Sequence, residues 1–347
     1  MVKQVSGTAY GSAKSAGMGV SRASSLDVMK CLAAFFVVCI HYGAELSNPI
    51  VRCAVPIFFV ITGYYYPMMV EKGKFWKHIR KLLVMTVCAS ALYGAYELQH
   101  QIRHGNLEMW ASETFRLKHI VNSLAFDSDL FGFHLWYFYA VLYCLIIFRL
   151  ADKWRLTKWL RYAVPLLLLV HFARNFALFP AHWVRNFLFM GLPCMMIGRC
   201  IRENKDGAFR FLSNERHLYT YTFGSLLLAC GEMWLLSIIC SDRGSREMYM
   251  FTLPMILPCF YWALSHPRFG EGSLAATIGR KYSAYIYIFH VLARKWLSLF
   301  LDRDASLLVK AIYPFIVFAV SLCMAWLFVL FLQWAKRHFR KHSGKQC

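Results

Sequence analysis

Long apolar runs follow one another along the chain from about residue 26, and short polar or basic segments separate them. Several runs are long enough to cross a hydrocarbon core of about 30 Å, which takes about 20 helical residues. The pattern predicts an all-α integral membrane protein with about ten transmembrane helices. The expected spans are 26–46, 51–70, 80–98, 131–150, 159–178, 183–200, 219–240, 248–264, 280–299 and 308–334.

The composition agrees with lipid as the surrounding medium. Hydrophobic types make up 59% of the 347 residues and charged types 16%, whereas soluble domains average about 45–50% and about 25%. The net charge of +21 lies in clusters between the apolar runs, which indicates positively charged loops rather than nucleic-acid binding. The 12 cysteines form no CxxC motif and most lie within apolar runs, so we expect neither a metal site nor a disulfide framework.

The distribution of Lys and Arg predicts the orientation. With the N-terminus in the cytoplasm, 26 of the 39 basic residues fall in segments on that side and 12 on the other, while Lys30 lies within a helix. This bias favours a multi-pass protein of the inner (plasma) membrane with both termini cytoplasmic. Residues 1–25, rich in Gly, Ser and Ala, are expected to form a flexible cytoplasmic tail, and 336–347 a basic one.

The first span contains two ionisable residues, Lys30 and His41, in LDVMKCLAAFFVVCIHYGAE. Eleven helical positions are close to three turns, so both side chains leave nearly the same face, roughly 16 Å apart along the axis. Ionisable residues inside a span are costly and usually face a cavity or the bundle interior. Alternatively, Lys30 extends to the headgroups or pairs with Asp27, and His41 is a neutral, hydrogen-bonded core residue.

His41 is the residue whose chemistry is most informative. Histidine is the usual general base near neutral pH, and it would take a proton from an acceptor hydroxyl as that oxygen attacks a thioester. Glu45 follows one helical turn later. It either orients the imidazole or is a solvated carboxylate at the helix end.

A basic cluster, KGKFWKHIRKLL at 72–83, precedes the third span. Lys77, Arg80 and Lys81 lie at its predicted cytoplasmic end, and Lys77 and Arg80 share a helix face. The cluster is explained either by the positive-inside rule alone or by phosphate recognition, for which Arg and Lys are well suited.

Polar residues on several other spans suggest a shared cavity, because isolated polar groups within a membrane are rare. The remaining cavity candidates are His134, Trp136, Arg185, Asn186, Glu232, Ser283, Tyr287 and His290. Each residue alone is weak evidence for a cavity, and Trp136 and Tyr287 are also typical packing residues.

Six segments, in order, resemble the membrane-bound acyltransferase 3 family over about residues 24–335. They are Lys30-x10-His41, VPIFFVITGYYY (55–66), Lys77-x-x-Arg80, HLWYFYAVLY, RNFLFMGLPCMMIGR and GRKYSAYIYIFH. Many members have Arg where this chain has Lys30 and Lys77. Bacterial members O-acetylate cell-surface glycans and related acceptors, so the resemblance implies an acyltransferase 3-like transmembrane domain over 26–335.

The resemblance also implies an acyl-CoA donor, most often acetyl-CoA, that enters from the cytoplasm. Lys30, Lys77, Arg80 and Lys81 are then the expected donor-binding residues, and His41 the expected base for transfer to a saccharide or small hydroxyl acceptor. The other expected partner is membrane lipid. A transporter or flippase for a glycolipid or acylated small molecule is the alternative, and a multi-span sensor or scaffold is a third possibility.

Overall fold

The computed structural model describes residues 23–42, 48–176, 178, 180–204, 210–240, 246–302, 304 and 306–343. These residues form fourteen α-helices and no strand. The helices are α1 Ser24–Tyr42, α2 Asn48–Val51, α3 Ala54–Glu71, α4 Phe75–His104, α5 Leu107–Thr114, α6 Leu117–Ala125, α7 Trp136–Lys153, α8 Thr157–Ala173, α9 Leu192–Glu203, α10 Glu215–Ile239, α11 Thr252–Ser265, α12 Leu274–Lys281, α13 Ser283–Leu297 and α14 Leu307–Ser343.

The structure confirms the predicted fold class, which is an all-helical membrane protein. In the described part of the chain, 6 helical segments are long and apolar enough to cross a membrane: Ser24–His41, Asn48–Glu71, Phe75–His104, Phe133–Lys153, Glu215–Ile239 and Leu307–His338. The other predicted spans coincide with shorter helices, since α8 has 17 residues, α9 has 12, α11 has 14 and α13 has 15. Ten spans and cytoplasmic termini therefore stay predictions, and most of the N-terminal tail lies outside the described residues.

Close backbone contact joins α3 to α9. A Cβ on Gly63 would lie 1.9 Å from the carbonyl oxygen of Met195, and one on Gly198 would lie 2.0 Å from that of Val60. Small residues let membrane helices approach closely and gain van der Waals contact over their length. The two glycines thus fix the position of α3, whose inner face supplies several cavity residues.

Helix α1 lies at the centre of the bundle and contacts α3, α11, α12, α13 and α14. Gly279 on α12 allows the closest of these approaches, because its Cβ would lie 1.7 Å from the carbonyl oxygen of Asp27. The buried Asp27 carboxylate accepts a 3.3 Å hydrogen bond from Lys30 Nζ. The pairing considered for Lys30 from its i, i+3 spacing is therefore present.

The segment before α9 is irregular, with a π-helical turn at Phe187–Gly191. Asn186 caps this turn: its Oδ1 accepts from the backbone N–H groups of Leu188 and Phe189, at 2.9 Å and 3.0 Å. Its Nδ2 donates to the carbonyl oxygen of Trp183 at 2.7 Å. Asn186 thereby fixes the backbone on both sides of itself, including that of Arg185.

Candidate functional site

A cavity of about 210 Å³, the histidine cavity, surrounds the C-terminal end of α1. It is enclosed by residues from α1, the α2–α3 junction, the start of α7, the π-helical turn, and α13. Its lining residues are Val37, Ile40, His41, Arg52, Val55, Phe133, His134, Trp136, Arg185, Met190, Glu247 and Tyr287.

Three histidines lie together at this cavity. The ring centroid of His290 is 5.2 Å from that of His41 and 5.2 Å from that of His134. His290 is fully buried behind the other two, and its Nδ1 lies 2.6 Å from the carbonyl oxygen of Tyr287. His41 is only half-buried, so among the three it is the ring with most access to the cavity.

The backbone beside His290 is interrupted by a side chain of α4. The hydroxyl of Tyr93 donates to the carbonyl oxygen of Ile288 at 2.7 Å and accepts from the N–H of Leu292 at 3.2 Å. These are the two groups that an i to i+4 helical bond would join, and insertion of a polar group between them bends a helix. The ring centroid of Tyr93 is 4.6 Å from that of His134. Tyr93 therefore connects α4 to the segments that carry His134 and His290.

A second cavity of about 270 Å³, the basic cavity, lies toward the N-terminal half of α1. Cationic groups and a histidine line it at one side, and apolar and aromatic groups line the remainder. Its polar lining residues include Lys30, Thr62, His78, Lys81, Arg280, Lys281 and Ser283.

An aromatic wall, formed by Trp136, Tyr137 and Tyr287, separates the two cavities. Trp136 lines the histidine cavity, Tyr137 lines the basic cavity, and Tyr287 lines both. The ring centroids of Tyr137 and Tyr287 are 5.3 Å apart. The Tyr287 hydroxyl donates a hydrogen bond to the carbonyl oxygen of His134 at 2.5 Å. The wall is thus held from both α7 and α13.

The residues predicted from the sequence divide between the two cavities. Lys30, Lys81 and Ser283 line the basic cavity, whereas His41, His134, Trp136 and Arg185 line the histidine cavity. Lys30 and His41 therefore face separate spaces, because the aromatic wall lies between their levels on α1. Tyr287 borders both spaces.

The other predicted residues that the structure describes do not line either cavity. Lys77 and Arg80 are exposed on α4, and both stay predicted donor-binding residues. Asn186 caps the neighbouring turn, and Glu232 accepts hydrogen bonds from the backbone N–H groups of Met250 and Phe251. Glu45 lies outside the described residues.

Five lining residues with charged or imidazole side chains are not among the predicted site residues: His78, Arg280 and Lys281 in the basic cavity, and Arg52 and Glu247 in the histidine cavity. Arg280 and Lys281 belong to GRKYSAYIYIFH, and His78 lies within the basic cluster at 72–83. Arg52 lies close to the junction of two apolar runs, where the sequence indicates only a charged loop residue. Glu247 follows Arg246 in a segment whose sequence carries no motif.

Arg52 and Arg185 share one carboxylate. Arg52 Nη1 lies 3.3 Å from Oε2 of Glu247, and Arg185 Nη1 lies 3.5 Å from Oε1. Arg52 Nε also donates to Oδ1 of Asn48 at 3.0 Å. The three charged side chains come from distant parts of the chain and meet at the wall of the histidine cavity.

A buried carboxyl group lies outside the spans, near Arg185. Asp127 has no exposed surface, and its φ of 47° places it in the left-handed region. Burial raises its pKa to about 8, against the opposing effects of the Phe187 backbone and Arg185. Asp127 is therefore mostly protonated at neutral pH. Across the described residues, no group of three or more His, Cys, Asp and Glu is placed to hold a metal ion.

The fold and the paired cavities define an all-helical membrane protein with a basic cavity and a histidine cavity on either side of one aromatic wall. The family model named acyltransferase domain (Acyl_transf_3) matches residues 24–332, nearly the whole chain, and the chain belongs to this family. No curated protein and no solved structure matches the chain. The resemblance inferred from the six sequence segments is thus confirmed.

Proposed function

We propose that this protein is a membrane O-acyltransferase that moves an acetyl group from acetyl-CoA to a hydroxyl of a cell-envelope saccharide or related acceptor. The observation that carries the proposal is the pair of chemically different cavities on either side of Trp136, Tyr137 and Tyr287. The basic cavity offers several cations, which suit a phosphorylated donor, and the histidine cavity offers a cluster of histidines beside two arginines and a glutamate, which suits a hydroxyl acceptor.

The basic cavity is the proposed donor side. Lys30, Lys81, Arg280 and Lys281 line it, and cations of this kind bind the phosphates of a nucleotide carrier. Lys77 and Arg80, exposed on the same helix as Lys81, are proposed to extend the phosphate contacts beyond the cavity. The apolar part of the lining suits the thin pantetheine arm, with the thioester directed at the aromatic wall. By the positive-inside rule this side faces the cytoplasm.

His41 is the proposed general base on the acceptor side. Its imidazole takes the proton of the acceptor hydroxyl as that oxygen forms a bond to the thioester carbonyl carbon. The tetrahedral intermediate then collapses, the carbon–sulfur bond breaks, and the CoA thiolate leaves and receives the proton. Proton transfer of this kind typically contributes 10²–10⁴-fold to the rate.

The test is transfer of label from acetyl-CoA to membrane acceptors, measured in vesicles with equal amounts of each variant. His41→Gln, which keeps a polar side chain of similar size, is expected to lower kcat by about 10²-fold or more. Lys81→Gln is expected to raise the KM for acetyl-CoA and leave kcat nearly unchanged. The matched control is Lys336→Gln, an exposed lysine of the same charge near the end of α14.

Full activity of His41→Gln would exclude the general-base role. An unchanged KM for acetyl-CoA in Lys81→Gln, Lys281→Gln and Arg80→Ala would remove the donor assignment of the basic cavity. Absence of label transfer by the folded wild-type protein from acetyl-CoA, with transport of a labelled glycolipid instead, would overturn the enzymatic proposal.

A further inference from the structure

The described residues that line the histidine cavity carry more positive than negative charge. Arg52 and Arg185 both pair with Glu247, at 3.3 Å and 3.5 Å. One carboxylate balances only one of two guanidinium groups, so with neutral histidines the described lining residues keep a formal charge of about +1. Each guanidinium also has five N–H donors, more than these ion pairs use.

In the part of the chain that the structure describes, the neighbouring carboxyl group of Asp127 does not remove this charge. Asp127 is the second carboxyl group near Arg185, but burial raises its pKa to about 8, so at neutral pH it is mostly uncharged. Two guanidinium groups that share one carboxylate have hydrogen-bonding capacity left for a further anion, so the described lining is electrostatically matched to an anion.

We propose that the acceptor carries an oxyanion, a carboxylate or a phosphate, which binds to Arg52 and Arg185 while the hydroxyl to be acylated points at His41. This inference rests on the proposed function and names the class of its acceptor. The planar fork of Arg binds carboxylate and phosphate through two parallel hydrogen bonds, which fixes orientation as well as position. The anion and the hydroxyl must lie close together in the acceptor, because His41 and both arginines line the same cavity of about 210 Å³.

A side cavity of about 170 Å³ extends the site beyond Trp136 and Arg185. Its remaining lining residues are Asn122, Phe126, Ser128 and His182, which offer amide, hydroxyl and imidazole groups beside an aromatic ring. Such a lining suits the hydroxyl groups and apolar faces of a sugar ring. Arg185 lies between the two spaces, so the anion would sit at the centre of an acceptor that continues into the side cavity.

The test is equilibrium binding to the purified, full-length protein in lipid nanodiscs, with three probes on one scaffold: glucose, glucuronic acid and glucose 1-phosphate. We expect at least one of the two anionic sugars to bind tenfold or more tightly than glucose. The anion that binds better distinguishes a carboxylate acceptor from a phosphate acceptor. Arg185→Gln should weaken that binding at least tenfold, and Glu247→Gln, which adds a net positive charge, should strengthen it.

Lys295→Gln is the matched control. Lys295 is also a cation paired with a glutamate, at 2.6 Å from Oε1 of Glu97, but it does not line the histidine cavity. Its substitution should leave the binding of the anionic sugars unchanged. If Arg185→Gln does not fold, Arg185→Lys replaces it, since it keeps the charge and removes the planar fork, and a smaller loss of binding is expected.

Equal binding of all three sugars, no binding of either anion, or equal effects of Arg185→Gln and Lys295→Gln would each overturn the inference. The assay requires no acyl transfer, so its outcome is independent of the enzymatic test. Anion binding without label transfer from acetyl-CoA would contradict the proposed function, whereas transfer without anion selectivity would contradict only this inference.

Discussion

At the scale of single residues, the site depends on side chains that fix the backbone rather than contact a substrate. Asn186 holds the turn that follows Arg185, and the carboxylate of Asp129 accepts from the N–H groups of Phe131 and Gly132, at 2.9 Å and 2.6 Å, just before His134. Each satisfies backbone donors that an irregular segment would otherwise leave unpaired. The positions of Arg185 and His134 are thus set by their neighbours in sequence.

Asn186→Ala is expected to lower the free energy of unfolding by about 1 kcal/mol, the usual cost of losing a capping side chain. It should also lower acetyl transfer, because Arg185 is no longer held at the histidine cavity. Asn214→Ala is the control, since Asn214 caps α10 by accepting from the N–H of Arg216 at 3.0 Å and is exposed. Thermal unfolding should show a loss of stability in both variants. An equal loss of acetyl transfer in both variants would contradict the positioning role of Asn186.

Asp127 makes stability depend on pH. Its pKa rises from 3.8 to about 8 on folding, so between these values the folded state binds a proton that the unfolded state lacks. Its contribution to stability is therefore full below about pH 4 and decreases as the pH rises toward 8. Asp127→Asn, which tolerates the same positive φ, should unfold at a higher temperature than wild type by a margin that grows from pH 5 to pH 8. A constant margin over this range would contradict the burial of an ionisable carboxyl group.

At the scale of helices, close contact of α3 and α9 holds the site together. Gly63 and Gly198 let the two backbones touch, and α3 supplies Phe58, Ile61 and Thr62 to the basic cavity. Since a Cβ on either glycine would overlap a carbonyl group, the helices would have to separate. The volume of the basic cavity is therefore coupled to a contact on the opposite face of α3.

Gly63→Ala is expected to destabilise the protein by about 1–3 kcal/mol, the range for overpacking a well-filled interior. Gly224→Ala on α10 is the control, because a Cβ there meets no atom within 4 Å. Replacing a glycine in a helix by alanine without a clash stabilises it by about 0.5–1 kcal/mol. Opposite shifts in melting temperature are expected for the two variants, and a gain in both would show that α3 and α9 are not in backbone contact.

Site residues can be predicted from the sequence where their arrangement depends only on the local helical repeat. Lys30 and His41 could be placed on one face of α1 because eleven helical positions make close to three full turns, whatever the rest of the chain does. The meeting of Arg52 with Glu247 depends on how the α2–α3 junction packs near the segment before α11, and no local pattern encodes that contact. The aromatic wall was missed for the same reason, since Tyr137 is one of many aromatic residues in its segment.

At the scale of the whole molecule, the two cavities lie at different levels along α1. With the predicted orientation, we expect each cavity to lie toward one side of the membrane. The turns at Gly73 and Gly105 lie at the two ends of α4, and a Cβ on either glycine meets no atom within 4 Å. Both turns are therefore suitable for insertion of a short tag.

A tag inserted at Gly105 should be accessible to antibody in sealed right-side-out vesicles. A tag at Gly73, between Lys72 and Lys74, should become accessible only after the membrane is permeabilised, because the basic side is predicted to be cytoplasmic. A C-terminal tag is expected to behave like the one at Gly73. Access to all three tags in sealed vesicles would contradict both a membrane-crossing α4 and a cytoplasmic C-terminus.

The aromatic wall has an electrical consequence. A single charge that crosses a membrane potential of 100 mV exchanges about 2.3 kcal/mol with the field. In the proposed reaction an acyl group, formally an acylium cation, passes outward through the wall, and the proton of the acceptor hydroxyl passes inward to the CoA thiolate. The two movements cancel, so turnover is electroneutral. Each turnover of a transferase built around Trp136, Tyr137 and Tyr287 would then exchange no net energy with the membrane potential, in energised and in de-energised cells alike.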